Sequence, residues 1–157
     1  MHTGQDANQS QLGGTSDVSA LEGMYGIKYL ELWQVRDLKD ISVISTLHGL
    51  QYLFLQSLPH IRSVPDLSKL SVLKRVHLEN MKGLQDVSAV ATAPALEEFL
   101  HTSAQGMEPG QYADLLASKT LKRILVGFGS KKKNKTLNDS AAAAGIMQYK
   151  HSPFRFT

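Results

Sequence analysis

Ile27, Leu50, Leu73 and Leu96 recur at a constant step of 23 residues, and that step limits what the chain can fold into. Stacking the blocks aligns eight apolar columns. They are Ile27/Leu50/Leu73, Leu30/Leu53/Val76, Leu32/Leu55/Leu78, Val35/Leu58/Met81, Leu38/Ile61/Leu84, Ile41/Val64/Val87, Ile44/Leu67/Val90 and Leu47/Leu70/Ala93. A lone helix or strand repeats its faces every ~3.6 or ~2 residues, which cannot produce so long a period. A coil that passes one core once per turn can. The expectation is an α/β solenoid with its strands in one parallel sheet.

Within each block the first part reads apolar-x-x-apolar-x-apolar. The alternation puts Leu30 with Leu32, Leu53 with Leu55, and Val76 with Leu78 on one face of a short strand. The second part follows Asp40 or Asp86 and is apolar at every third position, as at Ile41, Ile44 and Leu47. That spacing suits a 3₁₀ turn, and the acidic residue ahead of it can meet the free N–H groups. The middle block has Ser63 in that place, flanked by Pro59 and Pro65, so its return segment is expected to be extended or turn-like.

The run Leu50-Gln51-Tyr52-Leu53-Phe54-Leu55, repeated in register over residues 17–127, resembles the leucine-rich repeat proteins, closest to the bacterial, internalin-like type. The resemblance implies a right-handed solenoid of about five parallel strands in one sheet, with short helical or irregular return segments. It also implies work by binding protein partners. The family usually carries asparagine three places after the last strand leucine; here that column is Val35, Leu58, Met81 and Ala104. The turns must therefore satisfy their backbone groups in another way.

Three stretches divide the chain. Residues 1–16 are rich in Gln, Asn, Gly, Ser and Thr and read as a disordered leader or linker. Residues 17–127 form the solenoid, entered part-way through a repeat at Asp17 to Leu21. Its repeat lengthens to 25 residues between Leu96 and Leu121, with a short helix expected over 108–117 and a fifth strand over 121–126. Residues 128–157 read as a helical C-terminal cap: a turn, a solvated lysine loop over 131–135, a helix over 136–147 and an aromatic, basic end.

Between the inward leucines, three outward columns form the strand face expected to be concave. Tyr29, Tyr52, Arg75, Glu98 and Arg123 make the first. Glu31, Phe54, His77, Leu100 and Leu125 make the second, and Trp33, Gln56, Glu79, Thr102 and Gly127 the third. Strands lie about 4.8 Å apart, so Tyr29, Trp33, Tyr52 and Phe54 are expected to form one aromatic patch. Aromatics are the usual anchors of protein interfaces. The expected partner-binding residues are these four with Glu31, Gln56, Arg75, His77, Glu79 and Glu98.

The remaining residues argue against chemistry. No cysteine is present, which excludes disulfides and cysteine-ligated zinc. The histidines share no metal-ligand spacing, and His101 falls in an inward column, where a hydrogen-bonded core residue or a local register slip after Phe99-Leu100 is expected. Gly127-Phe128-Gly129-Ser130 lacks the Lys-Ser/Thr arrangement of a phosphate loop. No enzymatic activity, cofactor or metal is therefore expected. The net charge of +3 is small, and the strand face mixes both signs, so nucleic acid is not the expected partner. No signal or membrane-spanning segment is visible, and the cellular compartment is not readable. The expected function is non-catalytic protein recognition on the strand face. The alternative is a structural repeat segment of a larger protein whose neighbours cover the aromatics. The edge strand near 27–33, if open, would also be a pairing site for self-association.

Overall fold

In the computed structural model the columns lie side by side. The structure describes residues 2–3, 9–13 and 16–157. One open α/β sheet contains β1 (His2–Thr3), β2 (Gln9–Gly13), β3 (Tyr29–Trp33), β4 (Tyr52–Gln56), β5 (Arg75–Glu79), β6 (Glu98–Thr102), β7 (Arg123–Val126) and β8 (Met147–Gln148), in chain order. β1 pairs antiparallel with β2, and each later neighbour is parallel. Leu30 is opposite Leu53, Leu53 opposite Val76, Val76 opposite Phe99, and Phe99 opposite Ile124. The arrangement is solenoid-like: each coil adds one strand to the sheet and one layer to the core.

The inward side chains explain the stability of that stack. Leu30, Leu53, Val76, Leu32, Leu55 and Leu78 are fully buried. Burying each such side chain contributes about 1.5–3 kcal/mol. The return segments follow the local sequence. Ser19–Leu21, Ser42–Thr46 and Ser88–Thr92 are 3₁₀ turns. Ahead of them Asp17, Asp40 and Asp86 each accept the amide of the serine two residues on, at 2.8 Å. The middle return segment, between Pro59 and Pro65, has no 3₁₀ turn: it opens on a turn at Pro59 and His60, and Ser63 bridges in parallel to Asp86.

After β3, β4, β5 and β6 the chain turns through Gln34, Ser57, Asn80 and Ser103, all at φ between 50° and 54°. None is glycine, and this left-handed conformation costs such residues about 1–2 kcal/mol. Hydrogen bonds between coils offset it: the amides of Gln34, Ser57 and Asn80 donate to the carbonyls of Gln56, Glu79 and Thr102. Asn80 Nδ2 also donates to Ser57 Oγ at 2.9 Å. The next column, where the resemblance leads one to expect asparagine, is apolar and packed inward at Val35, Leu58, Met81 and Ala104.

Several sequence expectations change. Gln9–Gly13 is a strand paired along the whole of β3, and His2–Thr3 pairs with it, so the leader is not structureless at those residues. Residues 1, 4–8 and 14–15 of that leader lie outside the described residues. The edge of β3 proposed for self-association is filled by β2 for the same reason. Among the described residues the sheet has eight strands rather than about five.

Finally, the lysine run is not a loop: α2 spans Lys131–Ala143. Ser130 caps it by accepting the Lys133 amide, and Asn134 Oδ1 accepts the Phe128 amide at 2.9 Å. Lysine at a helix N-terminus opposes the dipole. Here Lys133 is paired with Glu108 at 2.7 Å, and Leu137 and Ala141 are buried on the core side. The expected helix over 108–117 is a 3₁₀ turn, Pro109–Tyr112, running into α1 (Ala113–Leu116). Among the described residues no helix is long and apolar enough to cross a membrane.

Candidate functional site

The strand face is divided lengthwise, and the division follows from the end of the chain. β8 pairs with β7, and the Tyr149 amide still donates to the Ile124 carbonyl at 2.9 Å. The chain then runs back over the first outward column toward β3. Arg75 Nη2 donates to the Ser152 carbonyl at 3.2 Å. The Phe154 ring lies 5.2 Å from the Tyr52 ring, and Phe156 meets Tyr29 edge-on at 6.4 Å. At Thr157 the carbonyl accepts from Lys28 Nζ at 2.8 Å and from Gln51 Nε2 at 3.0 Å.

Under this tail the first column forms a continuous polar and aromatic seam. Tyr29 and Tyr52 are 4.9 Å apart between ring centroids. The Arg75 guanidinium is within 5.4 Å of the Tyr52, Tyr149 and Phe154 rings. Such cation–π contacts strengthen when water is excluded. Glu98 then accepts from Arg75 at 2.9 Å on one side and from Arg123 at 2.8 Å on the other. Burial pushes the Glu98 carboxyl up, but its bonds to Arg123 and Arg75 outweigh this and hold it below the usual range. Burial raises the hydroxyls of Tyr29 and Tyr52. Arg75 and Glu98, expected on an exposed face, are only 5% and 6% exposed.

The second and third columns are differently placed. Phe54 and His77 stack at 4.4 Å on adjoining strands, and both are half-buried, as is Glu31. Leu100, next to His77 on β6, is buried rather than exposed. Burial, with the Arg75 charge second, lowers the His77 pKa to about 4. In the third column Trp33 is 39% exposed, while Gln56, Glu79 and Thr102 are half-buried. Trp33 is opposite Gln56, and Gln56 opposite Glu79. The structure thus places Glu31, Trp33, Phe54, Gln56, His77 and Glu79 on adjacent strands beside the tail. Tyr29, Tyr52, Arg75 and Glu98 lie beneath it.

Beyond the ends of β3, β4 and β5 lies a shallow groove of about 470 Å³ lined by Gln34, Arg36, Ser57, Pro59, Asn80 and Lys82. Its ionisable groups are two cations, with no carboxylate or histidine to act as a base. His101 is inward, with Nδ1 sharing a 2.8 Å hydrogen bond with the Tyr112 hydroxyl. Among the described residues no three of His, Cys, Asp and Glu gather as a metal site.

Gln51 was invisible to the sequence reading, although a signal existed. Its column reads Lys28, Gln51, Lys74, Glu97, Lys122, and it alone is uncharged. It is also 4% exposed. Comparison with protein-family models and with curated protein sequences gives no match.

Proposed function

We propose that the chain is a leucine-rich repeat protein of the bacterial, internalin-like type, and that it recognises a protein partner on its strand face without catalysis. The observation that carries this reading is Trp33, a large aromatic 39% exposed beside Phe54 and Gln56 on adjoining strands. An indole left in water on a rigid sheet is a ready interface anchor. Glu31, His77 and Glu79 border it and supply the polar rim that sets specificity. The sheet is already formed, so binding orders little of the chain.

A second reading is favoured by the tail itself. Tyr29 and Tyr52 are covered from within the chain, so a neighbouring segment of a larger protein could cover Trp33 and Phe54 in the same manner. The test is capture of partner proteins by the wild-type chain against the Trp33→Ala/Phe54→Ala chain. Recognition predicts that capture disappears while the thermal midpoint moves by no more than a few degrees. A double variant that unfolds or precipitates, or that captures the same proteins, defeats it.

A further inference from the structure

We propose that the groove over the first column is a docking site for an extended partner segment bearing aromatic residues at alternate positions, which residues 149–157 occupy in cis. This rests on the recognition reading and adds the chemistry of what is recognised. The seated tail shows which features the groove reads. Phe154 and Phe156 are two residues apart, so an extended backbone turns both rings to one side, onto Tyr52 and Tyr29. Gln51 reads chiefly main chain: Nε2 donates to the Thr157 carbonyl and Oε1 accepts its amide, both at 3.0 Å, with the Thr157 hydroxyl a longer donor to Oε1 at 3.5 Å. Any extended segment offers those two groups. Arg75 takes a third main-chain group, the Ser152 carbonyl.

The seat and its occupant are unequally held. Beneath the tail, Gln51, Arg75 and Glu98 are at most 6% exposed, and Glu98 holds the Arg75 guanidinium from the sheet side. The tail is looser. Phe156 is 40% exposed, Arg155 and Thr157 are exposed, and Phe154 is half-buried. A partner segment can therefore replace the tail without opening the leucine core.

The probe is a dye-labelled synthetic peptide with the sequence of residues 149–157, titrated against full-length chains. A tethered competitor has an effective concentration on the order of 1 mM, so a peptide of Kd ~100 µM should bind wild type about tenfold more weakly than a chain whose tail is disabled. Phe154→Ala/Phe156→Ala should therefore take up the peptide about tenfold better than wild type. Adding Gln51→Ala to that chain should reverse the gain, and a peptide with both phenylalanines changed to alanine should not bind. Equal uptake by wild type and the double variant, or uptake by neither, overturns the proposal. So does loss of the fold in the double variant by circular dichroism, since the tail would then be core. A wild-type dimer that the double variant cannot form would assign the groove to a second copy and overturn the partner assignment. Partner capture that still depends on Trp33 and Phe54 while peptide uptake fails removes this inference alone.

Discussion

Gln51 holds the main chain of Thr157 from both sides, although the two residues are 106 positions apart. Its side-chain amide does for the tail what a peptide group of a neighbouring strand does within the sheet. Gln51 lies in the position just before β4, and its own backbone is already engaged, accepting from the amides of Lys74 and Arg75. The side chain is thus free to bond outside the ladder.

Removing that clasp should loosen the tail and little else. Gln51→Ala deletes two hydrogen bonds to the main chain of Thr157, each worth about 0.5–1.5 kcal/mol net, and a longer one from its hydroxyl. Amide hydrogen exchange at Thr157 should quicken by about tenfold or more, which is ~1.4 kcal/mol. The amides of Leu53 and Val76, in the sheet interior, should keep their protection. Equal loss of protection at all three would mean that Gln51 supports the sheet itself.

The Arg75–Glu98 pair should behave as a buried unit. Glu98→Ala leaves the Arg75 guanidinium, itself 5% exposed, facing a cavity without its counter-charge. Breaking a buried pair on one side costs about 3–5 kcal/mol, whereas replacing both partners with apolar groups of similar volume is far milder. Urea unfolding of Glu98→Ala should therefore show the larger loss, and Arg75→Met/Glu98→Met the smaller. The reverse order would show that the tail's carbonyl and aromatic contacts alone compensate Arg75.

Mild acid should destabilise the fold through His101. Burial, with His77 as the second contributor, lowers its pKa to about 4 from an ordinary 6.5. A group whose folded pKa is depressed binds its proton more readily when unfolded. Stability is therefore complete above pH ~6.5 and falls as pH drops toward ~4, by at most roughly 3 kcal/mol for this residue. His77, half-buried, titrates with the same sign. His101→Leu alone orphans the Tyr112 hydroxyl and should cost about 1–3 kcal/mol at neutral pH. His101→Leu/Tyr112→Phe should recover most of that and flatten the slope between pH 6.5 and 4 in chemical denaturation. An unchanged slope would place the acid sensitivity elsewhere.

Two glycines separate close packing from chance. A Cβ at Gly83 would run into the Pro59 carbonyl of the preceding coil, and one at Gly49 into that of Tyr25. Gly83→Ala should cost about 1–3 kcal/mol, as overpacking does. Gly106→Ala meets open space and should be neutral or slightly stabilising, by up to ~1 kcal/mol. Thermal unfolding of the two variants gives the comparison directly.

The coils were legible because a constant step places equivalent side chains in equivalent surroundings. Leu30, Leu53 and Val76 could be assigned to neighbouring strands from spacing alone, and Pro59 and Pro65 marked the return segment that lacks a 3₁₀ turn. The two ends were not legible, since they have no repeat to be compared with. Gln9 to Gly13 is polar and joins the sheet by main-chain pairing, which leaves no apolar signature. Ser130 as a helix cap was masked by the three lysines that follow it. The tail left one trace, the alternation of Phe154 and Phe156, but what it packs on depends on a long-range return that no local pattern encodes. The division of the strand face into covered and uncovered halves, with Arg75, Glu98 and Leu100 buried, was not readable.

Stacked-coil proteins ordinarily behave as a row, in which each unit senses only the one before and the one after. A segment that leaves β8 and fastens to Gln51 and Lys28 joins the far end of that row to the coils of β3 and β4. Loosening of the tail must then strip contacts from the coils of β3 and β4, and loosening of those coils must strip contacts from the tail, so these distant coils should melt together and not one by one.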